Sequence, residues 1–258
     1  MIDLSNENVI HVKKGDIQYL QFKRFLKYSD KLQHCFTMKN LDFRNKKRDD
    51  QNYQIICREL NIDVQNIVRP QQAHTNIVEH VDYQNKSNTF SNVDGLITNL
   101  KDTALSLVFA DCTALLLYDP TKNVIGNIHS GWRGTVSKIG KTAINKMIEE
   151  HNCNPDDIIC CIGPTIRKCH FRVHADVKEK FEKVFGKSII APAGMQDGEE
   201  TFMVDVVGAN IKMLKECGLR DENIIDSGIC TVCNNELFHS YRAHKDLSGR
   251  NTAIMCLI

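Results

Sequence analysis

Long apolar runs are absent from this chain. No stretch reaches the roughly 18 apolar residues that a bilayer-spanning helix requires, so nothing points to a membrane partner. An excess of one charge sign is also missing. The 33 Lys and Arg nearly cancel the 32 Asp and Glu, leaving a formal net charge of +1. That balance removes any global electrostatic reason to expect nucleic acid. The first residues, MIDLSNENVIHVKKGD, contain no apolar core of the kind a signal peptide needs. No internal repeat, low-complexity tract or linker divides the chain. With 258 residues and 42% hydrophobic content, the expectation is one α/β domain spanning residues 1–258, with mixed sheet inside and helices outside.

Cysteine, by contrast, is plentiful, with eleven residues. In a small secreted chain that number would imply disulfides. An odd count, a long chain and no export signal favour reduced thiols and a cytoplasmic location.

Chemistry is densest between Ala110 and Thr135, ADCTALLLYDPTKNVIGNIHSGWRGT. Two apolar runs, Ala114 to Tyr118 and Val124 to Ile128, flank a connection containing Pro120 and Asn123, which is turn chemistry. An antiparallel hairpin would bring Cys112, at the head of the first run, near His129, at the end of the second. Asp111 precedes Cys112, and adjacent strand side chains face opposite ways, so a catalytic Asp111 requires a bulge or a strand end. Ser130-Gly131-Trp132-Arg133-Gly134 then opens an amphipathic helix over 136–150. Free amides at the helix start, with Gly131 and the Arg133 guanidinium, suit an anion; a plain strand-to-helix turn anchored by Trp132 is the other reading.

Three chemistries remain open on the residues alone. His74, Cys112 and His129 have the donor types of a catalytic zinc site with one open position. Cys112 and a histidine equally fit a thiolate nucleophile and its base. Three unrelated residues are the third reading. Cys230 and Cys233 have C-x-x-C spacing, but Cys160-Cys161 supplies no second pair, and ordinary buried thiols are expected. Cys169-His170 with His174 forms a metal set only on a helix that Phe171-Arg172-Val173 does not favour.

Several motifs occur together in order. Gln72-Ala73-His74-Thr75, Ala110-Asp111-Cys112, His129-Ser130-Gly131-Trp132-Arg133-Gly134, Ile162-Gly163-Pro164, Cys230-Thr231 and Ser240-Tyr241-Arg242 resemble the Q-x-H, A-D-C, H-x-G-W-R-G, I-G-P, C-T and S-x-R elements of one family. These are the laccase-domain or polyphenol-oxidase proteins, also described as purine nucleoside phosphorylases. The resemblance runs from about Cys35 to the C-terminus. It implies an α/β/β/α sandwich with mixed sheets, similar to cysteine-hydrolase toxin domains. It also implies one transition metal on His74, Cys112 and His129, usually zinc, with copper possible because a His/Cys site binds copper more tightly. A glycine-rich N-terminal element of the family is shorter here, and Lys39 stands where the family has arginine.

None of the ten histidines forms the H-x-H motif to which multicopper oxidases are similar, which discounts a four-copper oxidase and leaves weak oxidation by one copper. The resemblance implies phosphorolysis of adenosine, inosine, guanosine and methylthioadenosine, and deamination of adenosine. Phosphate is assigned to Arg133, Gly131 and Arg242. Cys112, His129 and Asp111 are the catalytic candidates, with His170 a further candidate acid or base. The partners expected are purine nucleosides and phosphate, not nucleic acid or membrane, in a monomer or homodimer. The alternatives are a cysteine or metal-assisted amide hydrolase editing cell-wall precursors, and a zinc-stabilised binding module.

Overall fold

The computed structural model describes residues 2–44 and 50–258. In chain order its strands are β1 (Val9–Lys14), β2 (Ile17–Phe22), β3 (Leu32–Thr37), β4 (Ile67–Val68), β5 (Pro70–Gln71), β6 (Val78–His80), β7 (Phe90–Ser91), β8 (Gly95–Thr98), β9 (Ala104–Phe109), β10 (Thr113–Asp119), β11 (Val124–Ser130), β12 (Ile159–Ile162), β13 (Arg172–Val173), β14 (Ile190–Gln196), β15 (Glu199–Val204), β16 (Ile224–Asp226) and β17 (Asn251–Leu257). The α-helices are α1 (Lys23–Leu26), α2 (Gln51–Glu59), α3 (Trp132–Val136), α4 (Ile139–His151), α5 (Ala175–Phe185), α6 (Val206–Glu216) and α7 (Tyr241–His244).

Two six-stranded mixed sheets stack face to face, in the orders β1-β2-β3-β17-β9-β4 and β16-β12-β10-β11-β8-β6. Strand alternation explains why the run Ala114 to Tyr118 is wholly apolar. Ala114, Leu116 and Tyr118 face the first sheet, against residues such as Phe36, Leu105 and Met255. Leu115 and Leu117 face the helices, against Ile144 and Met147 of α4 and Met213 of α6. On the far side, Tyr53, Ile56 and Cys57 of α2 cover Cys35 and Ile254. The layers are therefore α/β/β/α, as the family resemblance implies.

The hairpin forms as expected, with Thr113 opposite Ser130, Ala114 opposite His129 and Asp119 opposite Val124. Three expectations are corrected. The apolar run Ala104 to Cys112, whose continuity suits a strand covered on both faces, is not one strand: β9 ends at Phe109, and the chain crosses from the first sheet to the second through Asp111, whose φ of 79° lies in the left-handed region. The predicted helix after Gly134 is two helices, because Lys138 adopts a φ of 58° between α3 and α4. The runs Ile229 to Val232 and Phe238 to Tyr241, which read as short strands, are not strands: Cys230 forms an isolated bridge with a turn after it, and Ser240 caps α7 by accepting the Ala243 amide at 3.2 Å. The charged stretch 40–52, which lacks periodicity and reads as a solvated loop, falls partly on residues 45–49, outside the described residues.

Candidate active site

The crossing between the sheets sets the site. Because β9 has ended, Cys112 turns toward the end of the hairpin rather than following strand alternation. Across the hairpin, His129 lies one residue before the end of β11. His74 comes from a third place, the loop between β5 and β6, with a φ of 60°. One donor atom from each of His74, Cys112 and His129 lies within 4.8 Å of the other two, and His74 Nε2 is 3.9 Å from Cys112 Sγ.

Asp94 holds this arrangement together, and no motif announces it. It is fully buried just before β8. Its Oδ1 accepts a hydrogen bond from His129 Nδ1 at 2.7 Å, which leaves His129 Nε2 to face Cys112. Its Oδ2 accepts from the Thr75 amide at 2.7 Å, the Thr75 hydroxyl at 2.9 Å and the Ala73 amide at 3.1 Å. One carboxylate thus orients one imidazole directly and the other through its loop.

The charges follow from that geometry. Burial alone would raise the Asp94 pKa, but the His129 hydrogen bond and the Thr75 amide outweigh it and hold the carboxyl well below the usual range. Burial would also raise Cys112, yet His129 and His74 pull the thiol down to about 6. Burial would lower His129, yet the Cys112 thiolate and Asp94 push it up to about 9. In metal-free protein the thiolate–imidazolium pair therefore persists between about pH 6 and 9. In chelator-treated protein, alkylation of Cys112 by iodoacetamide should rise with a midpoint near pH 6, rather than near the ordinary thiol value of about 8.5. A midpoint above 8 would contradict the pairing.

The donor set fits a transition metal. Two imidazole nitrogens and a thiolate are zinc or copper ligands, and three of them leave a position open. Space fits too. A Cβ on Gly131 would stand 2.9 Å from His74 Cδ2 and 3.2 Å from Cys112 Sγ, so only glycine clears the cluster. Gly134 brings α3 onto the same loop, where a Cβ would meet Thr75 O at 2.9 Å. Gly131→Ala should weaken zinc binding by roughly 10- to 100-fold, the scale seen when a metal site's supporting shell is disturbed. Competition with a chromogenic chelator measures it, and unchanged affinity would show that the cluster tolerates the methyl.

The cluster opens into a cavity of about 1070 Å³. Arg133 and Arg242 line it, with Arg69, Arg172, Lys245 and Arg250 adding positive charge. Arg133 stacks on Trp132, its guanidinium carbon 4.3 Å from the ring centroid. Arg242 donates from Nη1 to the His170 carbonyl at 2.6 Å. Asp111 also lines the cavity, but both carboxylate oxygens are engaged: Oδ1 accepts from Thr231 Oγ1 and Oδ2 from the Arg242 amide, each at 2.6 Å. Lys39 turns elsewhere and donates to Asn235 O at 2.9 Å. His170 Nδ1 faces Cys169, Cys230 and Cys233, while His174 pairs with Glu199 at 3.0 Å. The expectation of buried thiols at 230 and 233 holds for Cys230 and is corrected for Cys233. Cys233 is exposed, and its neighbours are Cys169 and His170, on a segment some 60 residues away in sequence.

Known proteins resemble this chain along most of its length. Purine nucleoside phosphorylase YlmD of Bacillus subtilis is 32% identical over 206 residues, covering 77% of this chain and 73% of that protein. Adenosine deaminase RL5, from an unknown prokaryotic organism, is 29% identical over 203 residues, covering 76% of each. The crystal structure of Bacillus licheniformis hypothetical protein YfiH superposes with a TM-score of 0.84 at 23% identity, covering 96% of this chain and 99% of that one, a likeness of fold. The Q-x-H, A-D-C and H-x-G-W-R-G elements thus meet at one cavity, and residues 30–258 match one family from end to end: the chain belongs to the family described as multi-copper polyphenol oxidoreductase laccase.

Proposed function

We propose that this protein is a metal-dependent purine nucleoside phosphorylase that also deaminates adenosine. The observation that carries the reading is the cavity, where the His74, Cys112, His129 cluster and the Arg133 and Arg242 guanidiniums share one wall space. The names of two relatives, a purine nucleoside phosphorylase and an adenosine deaminase, agree with it.

Phosphate sits on Arg133 and Arg242, whose planar forks match its oxygens. The stacking on Trp132 and the bond to the His170 carbonyl orient the two forks before phosphate arrives. A phosphate oxygen attacks the ribose C1′, the C1′–N9 bond breaks, and the purine leaves carrying the proton that the hydrogen phosphate gives up as it becomes ribose 1-phosphate. Zinc on His74, Cys112 and His129 would supply Lewis-acid polarisation at that wall. With both oxygens occupied, Asp111 acts by positioning Arg242 rather than by moving a proton. Adenosine incubated with zinc-loaded protein should give phosphate-dependent adenine and, through deamination, some inosine. Chromatography that finds no purine product at stoichiometric protein levels would sink the proposal.

One observation favours a second reading. The Cys112 thiolate beside His129 is also a nucleophile and base, as in an amide hydrolase. Turnover of a cell-wall precursor that withstands chelation but not thiol alkylation would favour it, whereas a precursor left intact by the protein counts against it.

A further inference from the structure

A second cluster of metal-ligating side chains lies apart from the cluster at the cavity. Cys169 and His170 sit in the turn before β13. Cys230 forms the bridge to Thr165, and Cys233 sits in the turn that follows it. All four donor atoms lie within 4.8 Å of one another. Cys169 Sγ is 3.6 Å from Cys230 Sγ and 3.7 Å from Cys233 Sγ. His170 Nδ1 is 3.2 Å from Cys169 Sγ, 3.5 Å from Cys233 Sγ and 3.7 Å from Cys230 Sγ.

From these distances we infer that Cys169, His170, Cys230 and Cys233 form a structural zinc site of Cys3His type. Tetrahedral bonds of about 2.3 Å to sulfur and about 2.05 Å to nitrogen place sulfurs about 3.8 Å apart, and nitrogen about 3.6 Å from sulfur. The side chains already stand near those separations. Zinc displaces the thiol protons as it binds, so three thiolates and a neutral imidazole surround it.

The site would tie the segment after Pro164 to the turn after Ile229. Both segments reach the cavity wall, since Arg242 Nη1 donates to the His170 carbonyl and Thr231 Oγ1 donates to Asp111. A metal here would fix Arg242 at a distance while touching no substrate. Only this kinetic consequence rests on the proposed phosphorolysis.

The test separates the two sites. His74→Ala/Cys112→Ala removes two ligands of the cavity cluster, and zinc is then measured by elemental analysis and by cobalt substitution. The double variant should retain a full equivalent of zinc. Its cobalt form should show intense thiolate charge-transfer and tetrahedral ligand-field bands. Adding Cys233→Ser should weaken zinc binding by at least ~10-fold. If that triple variant does not fold, Cys169→Ser replaces Cys233→Ser, and X-ray absorption of zinc-loaded wild type reports whether sulfur ligation exceeds what Cys112 alone supplies. A folded double variant that retains no zinc would overturn the inference. So would a cobalt spectrum without thiolate bands, or an intact mass showing a disulfide among the three cysteines.

Discussion

Cys112→Ala should abolish phosphate-dependent release of adenine from adenosine, lowering kcat/KM by at least ~10³-fold. A metal acting as a Lewis acid contributes several kcal/mol of transition-state stabilisation, and about 4 kcal/mol corresponds to roughly a thousandfold in rate. The substitution removes the sulfur ligand and the negative charge that raises His129 to about 9, so the remaining two imidazoles lose both metal and partner. Fold should survive, because Cys112 is only half-buried at the edge of the core between the sheets. The measurement is chromatographic product analysis with and without phosphate, beside circular dichroism and zinc content. A variant that keeps its zinc and more than a tenth of its rate would remove Cys112 from the mechanism.

The second large effect is expected away from the ligands. Asp94→Asn keeps the shape but loses the charge, and the new amide nitrogen faces donors on at least one side. Removing one partner of a buried ion pair costs about 3–5 kcal/mol. At roughly 2–4 °C per kcal/mol for a domain of this size, Tm should fall by about 6–20 °C in metal-free protein. Zinc affinity should fall by roughly 10- to 100-fold as well, because His129 loses the bond that fixes which nitrogen faces the metal. The pH dependence gives a second readout. The Asp94 pKa is depressed in the fold, so its contribution is fully present above about pH 4 and is lost as pH falls toward the folded value. Wild type should therefore lose stability more steeply than the variant on acidification below pH 4. Equal slopes and equal Tm values would show that the carboxylate is dispensable.

The two predictions divide the site into what local pattern reveals and what it hides. The Cys112–His129 approach is legible because a hairpin with a short turn couples residues only 17 apart, and strand register then decides which side chains meet. Asp94 has no such signal. It lies 35 residues before His129, just before β8, a strand that pairs with β11. An Asp followed by Gly reads as a turn, and its role appears only when the loop carrying Ala73 and Thr75 folds over it. Its burial, with four hydrogen bonds to one carboxylate, is the property that marks it, and burial is not visible in a linear pattern.

The same reason separates correct from incorrect structural expectations. The apolar runs of β10 and β11 required cover on both faces, and two sheets plus a helical layer supply it. The break at Lys138 and the end of β9 at Phe109 depend on left-handed backbone at single residues, which composition does not announce. By itself, the sequence of this protein determined the layered α/β class, the central hairpin, the Q-x-H, A-D-C and H-x-G-W-R-G elements and the donor types they carry. Only the tertiary structure decided that Asp94 orients the cavity histidines, that Asp111 holds Arg242, and that Cys169 and His170 meet Cys230 and Cys233. Each of those contacts joins segments far apart in the chain. Their distances depend on how sheets and loops pack, which no local periodicity encodes.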